Sequence, residues 1–68
     1  MYPNLLGQKS VRKLTNNDMA QIIGVSRQSY ERKMESGKFL ASECAAYCKY
    51  FNKSFDYLFA VDVSDRAI

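Results

Sequence analysis

The chain has 68 residues, 47% of them hydrophobic, which is enough for one small domain and too apolar for a disordered linker. One proline and three glycines exclude collagen-like and low-complexity classes. Ten Lys and Arg against seven Asp and Glu leave a net charge of +3, which permits a polyanionic partner without demanding one.

Pro3 fits the first turn of a helix, where its missing N–H costs nothing. Leu5, Leu6, Val11 and Leu14 give that helix a loose apolar stripe, and Lys9, Arg12 and Lys13 fall outside it as a solvated face. Thr15 then begins a second helix. It is a good N-cap, and Asp18 supplies the acidic half of a capping box. Met19, Ile22 and Ile23 form the apolar face of this helix beside the small Ala20, and Gly24 closes it in the left-handed conformation.

Ser26 caps a third helix, in which Tyr30 and Met34 share one face with Val25 before them. Arg27, Gln28, Glu31 and Arg32 therefore point elsewhere, toward solvent or a partner. Ser36-Gly37 ends the helix, and Phe39 and Leu40 are apolar linker residues. Ala41 to Phe51 is periodic through Cys44, Tyr47, Cys48 and Phe51, which predicts a fourth helix with Asn52 as its C-cap. Ser54 caps a short fifth helix carrying Phe55, Leu58 and Phe59. Residues 60–68 alternate weakly, as a strand or a frayed end would. The expected organisation is a helix-turn-helix domain over 1–59 and a C-terminal tail over 60–68.

Several chemistries are disfavoured. The chain has no His, so neither a Ser-His nor a Cys-His nucleophile pair exists. No GxGxxG or GxxxxGK[ST] loop occurs. Cys44 and Cys48 have no His to complete a zinc site, and their helical spacing fits core packing better than redox work. No segment approaches the roughly 20 apolar residues of a membrane span, and no signal-peptide pattern is seen. The expectation is a soluble, cytoplasmic binding module with no cofactor, no small-molecule substrate and no enzymatic activity.

Residues 15–38 carry the functional signal: a capped helix, a turn with glycine, and a second capped helix. Leu14-Thr15, Met19-Ala20, Ile23-Gly24-Val25-Ser26, Ser29-Tyr30, Gly37-Lys38, Ser54 and Asp56-Tyr57-Leu58-Phe59 stand in the order of a known pattern. Over residues 4–59 the chain resembles the Cro/repressor-type (xenobiotic-response-element type) helix-turn-helix family. Its start, Met-Tyr-Pro-Asn-Leu, and its size look like short regulators of temperate bacteriophages. The resemblance implies an all-α, five-helix, lambda-repressor-like DNA-binding domain acting on a double-stranded DNA operator in a bacterial host. Relatives of this kind usually dimerise, so a homodimer is also expected.

That resemblance assigns roles to Asn16, Asn17, Ser26, Arg27, Gln28, Ser29, Arg32, Lys33 and Lys38. Asn16 and Asn17 open the second helix, where relatives often place a side chain on phosphate. Arg27 and Gln28 open the third helix, whose N-terminal residues meet base edges in the major groove. Arg can bind guanine O6/N7 and Gln adenine N6/N7. Ser26 and Ser29 lie on the same turn, and Ser29 can reach a base or a phosphate. Arg32 lies one turn beyond Gln28, while Lys33 and Lys38 are phosphate contacts that hold register. The chain departs from the family at Glu31 and Glu35, which leave residues 26–38 at only +2. Those acids, with exposed aromatics such as Tyr50 and Tyr57, support an alternative: an antirepressor-like module that binds a second phage repressor protein.

Overall fold

The computed structural model describes residues 2–61 and contains α1 (Pro3–Val11), α2 (Asn16–Ile22), α3 (Arg27–Ser36), α4 (Ala41–Phe51) and α5 (Phe55–Leu58). The architecture is all-α, with no strand among the described residues. Ala60 and Val61 have no regular structure, and the rest of the expected tail lies outside the described residues.

The helix starts follow side-chain chemistry. Thr15 Oγ1 accepts from the Asp18 N–H at 3.1 Å while the Asp18 carboxylate accepts from the Thr15 N–H at 2.9 Å, a complete capping box. Ser26 and Ser54 each accept from the backbone N–H three residues on, at 3.1 Å. Leu40 has no acceptor to cap α4, and the Glu43 carboxylate takes the Leu40 N–H at 2.9 Å.

The ends of α1 and α2 use one hydrogen-bond pattern with different residues. In α2, the Val25 N–H reaches Ala20 C=O at 3.0 Å and the Gly24 N–H reaches Gln21 C=O at 3.1 Å, with Gly24 at φ 71°. In α1, Leu14 N–H reaches Lys9 C=O at 2.9 Å and Lys13 N–H reaches Ser10 C=O at 3.1 Å. Here Lys13 takes the left-handed position at φ 56°, where a Cβ costs on the order of 1 kcal/mol. Because α1 stops at Val11, the expected stripe is broken: Val11 is 76% exposed, and Leu14 packs on the core from beyond the turn.

All five helices feed one core. Leu5 of α1, Met19 and Ala20 of α2, Tyr47 of α4 and Leu58 of α5 have no exposed surface. The small Ala20 fits the close packing of α2 on α3. Tyr47 is buried with its hydroxyl donating to Met19 C=O at 2.8 Å, so a phenol ties α4 to α2 without an orphaned polar group. Tyr2 donates to Gly37 C=O at 2.8 Å and packs edge-on to Phe59, closing the bundle from the N-terminal side. Cys44 is buried and Cys48 half-buried, as core cysteines should be. Among the described residues no helix is long and apolar enough to cross a membrane.

Candidate nucleic-acid interface

A four-residue connection, Ile23 to Ser26, turns the chain from α2 into α3, and the two helices pack against each other. Tyr30 and Met34 anchor α3 by its inner face, at 2% and 8% exposure. That anchoring sets the rotation of the helix. With a period of 3.6, Gln28, Arg32 and Glu35 then lie outward and Glu31 on the flank. Arg27 is on the row of Met34 but at the first position of the helix, and is exposed at its end; all five are exposed. The expected reading residues are thus all accessible, Arg27 at the start of α3 and Gln28 and Arg32 along its outer side.

Arg27 occupies the first position of α3, at the positive end of the helix dipole, where a cation is disfavoured by roughly 0.3–1 kcal/mol. No acid in the first turn compensates it. Its Nε faces Glu31 Oε2 at 3.8 Å, a loose pair one turn on, with the Arg27 side chain still 64% exposed.

The remaining candidates divide. Asn17 and Lys38 are exposed and face no recorded side-chain partner among the described residues. Ser26 is exposed, but its hydroxyl is occupied as the α3 cap, and Ser29 is half-buried behind it. Asn16 is half-buried and donates its amide to Glu31 Oε2 at 2.9 Å, across the α2–α3 interface. Lys33 stands apart from the outward surface. Its Nζ lies 3.1 Å from Glu43 Oε1, with side chains only 19% and 8% exposed, so it braces α3 against the start of α4.

Two residues do work that their sequence neighbourhoods do not announce. Glu43 accepts from both the Leu40 N–H and Lys33, which is how a carboxylate tolerates burial at 7% exposure. Arg12, expected in a solvated face, lays its guanidinium over the Phe51 ring at 5.2 Å and donates weakly to Phe51 C=O at 3.4 Å. It thereby covers the C-terminal end of α4, where carbonyls favour a cation.

Burial raises the pKa of the Tyr30 phenol above its ordinary value, and the nearby Glu31 charge raises it further. Tyr30 therefore stays neutral behind the charged surface. Among the described residues no group of three or more His, Cys, Asp or Glu could hold a metal ion. No family model, curated protein or solved structure matches this chain.

Proposed function

We propose that this chain is a sequence-specific DNA-binding transcriptional regulator in which α2 and α3 act as a helix-turn-helix. The observation that carries the reading is the division of α3: Tyr30 and Met34 seated in the core, Gln28 and Arg32 exposed on the other side, and Arg27 exposed at the helix start. A rigidly seated helix with Arg and Gln at its outer N-terminal end is what direct readout of a major groove needs. Arg27 would take guanine O6/N7, and Gln28 adenine N6/N7. Asn17 at the start of α2 and Lys38 after α3 flank that surface and would hold the phosphate backbone. Lys33, bound to Glu43, contributes to the scaffold more than to the backbone contacts.

On this reading the protein works in the cytoplasm of a bacterial host, on an operator, and needs no cofactor. A single copy reads only a few base pairs, so two copies on half-sites about 34–36 Å apart form the functional unit. The test is a fluorescence-anisotropy titration against duplexes enriched by the chain from a random library, at two salt concentrations. The reading predicts tight binding that weakens steeply with salt, plus clear preference over scrambled duplex. Absence of binding at low salt would sink it.

A second reading has its own observation. Tyr50 at the end of α4 and Phe55 and Tyr57 in α5 are 47%, 56% and 42% exposed, so although Tyr50 and Phe55 pack against Phe51 and Phe59 much aromatic surface stays open. Aromatic residues of this kind suit a protein partner, which keeps open an antirepressor-like module that sequesters another repressor. A one-to-one complex with such a repressor, formed without DNA, would favour it.

A further inference from the structure

Of the two exposed acids of α3, Glu31 and Glu35, Glu31 is the one that holds partners. It places a negative charge between residues proposed to meet a polyanion, and it is not left idle there. Its Oε2 accepts the Asn16 amide at 2.9 Å and faces Arg27 Nε at 3.8 Å. The first residue of α2 and the first residue of α3 thus converge on one carboxylate oxygen. A simple pair one turn apart on a helix surface, worth a few tenths of a kcal/mol, needs no amide from a second helix.

We propose that Glu31 is a specificity-determining residue of this surface, orienting Arg27 through Nε and suppressing attachment to DNA of the wrong sequence. The inference rests on the DNA-binding reading above. Two physical consequences support it. With Nε the nitrogen nearest Glu31, the two terminal nitrogens of Arg27 are left as a fork for a partner, the donor pair that guanine O6/N7 accepts. The carboxylate, 44% exposed, also lies beside any phosphate that Arg27 would otherwise grip. Residues 26–38 carry only +2, so this one acid removes a third of the charge the segment would have without it. Phosphate attraction is independent of sequence, whereas base readout is not. Lowering the first while sharpening the second raises the ratio between matched and unmatched sites.

Asn16 makes the arrangement specific to this packing. Its amide fixes the Glu31 carboxylate against α2, so the acid cannot swing away when a phosphate approaches. Asn16 is on this account a positioning residue for Glu31.

The experiment compares the wild-type chain with Glu31→Gln and Glu31→Ala. The probes are a random-sequence duplex and a duplex enriched by the wild-type chain from a random library, at about 50 and about 200 mM salt. Circular dichroism of each variant verifies the helical fold. Glu31→Gln keeps the shape and the acceptor but removes the charge. It should bind the random duplex about three-fold tighter or more and steepen the salt dependence, with a smaller change on the enriched duplex. Glu31→Ala also frees Arg27, so it should additionally lose affinity for the enriched duplex. An unchanged ratio between the two duplexes overturns the proposal but leaves the DNA-binding reading intact. So does a loss by Glu31→Gln confined to the enriched duplex, which would mean that Glu31 itself reads a base. Failure of the library to yield any preferred sequence overturns this proposal together with the sequence-specific reading beneath it. Absence of binding by all three proteins at the lower salt overturns both this proposal and the reading beneath it.

Discussion

The two sides of α3 obey different rules. Tyr30 keeps 2% of its surface exposed and Met34 8%, while Gln28 and Arg32 on the other side are exposed and the Arg27 side chain at the helix start keeps 64%. The inner side is held by packing and, at its edge, by the Lys33–Glu43 pair at 3.1 Å. Among the described residues, the exposed charges of α3 have only the 3.8 Å Arg27–Glu31 contact and the Asn16 amide. On the DNA-binding reading, stability and recognition fall to different residues of one helix. Substitutions should separate the two almost completely.

The largest effect is expected on the inner side. Met34→Ala removes most of a buried side chain and should cost about 2–5 kcal/mol. In a domain of 68 residues that is a large share of the whole stability, so thermal melting should show a much lower midpoint or no folded baseline. An unchanged midpoint would mean that α3 is not anchored by this side.

Next comes the brace between α3 and α4. Glu43→Ala leaves Lys33 without its carboxylate and the Leu40 N–H without its acceptor. A loss of about 2 kcal/mol is expected in denaturant unfolding, less than for a fully buried pair because Lys33 keeps some solvent contact. Double-mutant analysis with Lys33→Met should recover part of that loss, and no recovery would mean the two residues are not coupled.

Alkaline pH probes the same side. Burial raises Cys44 above the ordinary 9.0 of a thiol, and Tyr30 and Tyr47 above the ordinary 10.0 of a phenol. The folded state then holds these protons longer than the unfolded chain does. Their contribution is fully present below about pH 9 and is lost as pH rises through the folded values. Melting midpoints should fall steadily from about pH 9 to about pH 11. Tyr47→Phe should cost about 1 kcal/mol at neutral pH through the lost bond to Met19 C=O, and should flatten the alkaline fall. A flat profile in the wild-type chain would contradict the burial of these groups.

The smallest effect lies away from α3 and runs the other way. Lys13→Gly relieves the left-handed backbone at φ 56° and should stabilise the fold by about 0.5–1 kcal/mol. Gly24 already shows what the same hydrogen-bond pattern looks like with glycine in place. Destabilisation by Lys13→Gly would mean the lysine side chain holds the turn.

What could be read from the sequence was local. Thr15 with Asp18, Ser26, Ser54, Gly24, Gly37 and Asn52 mark helix ends because capping chemistry acts over three or four residues. Tyr30 and Met34 announce the inner side of α3 by their spacing, and so place Gln28 and Arg32 outward, whereas Arg27 is exposed because it opens the helix. The rest is pairing at a distance. Nothing near Arg12 points to Phe51, thirty-nine residues on. Nothing near Glu43 points to Lys33, and a lysine gives no sign of adopting a left-handed turn as Lys13 does. The Asn16–Glu31 bond was hidden for the same reason: it exists only after α2 packs on α3.

The most direct test of the separation is Arg27→Ala, measured once for stability and once for binding in the same preparation. Removing an exposed side chain from the helix start should move unfolding free energy by no more than about 0.5 kcal/mol. On a duplex enriched by the wild-type chain it should cost about 1–3 kcal/mol of binding free energy, with a smaller loss on scrambled duplex. A folded, equally stable Arg27→Ala protein that binds the enriched duplex as tightly as the wild type would contradict the assignment of this surface to DNA.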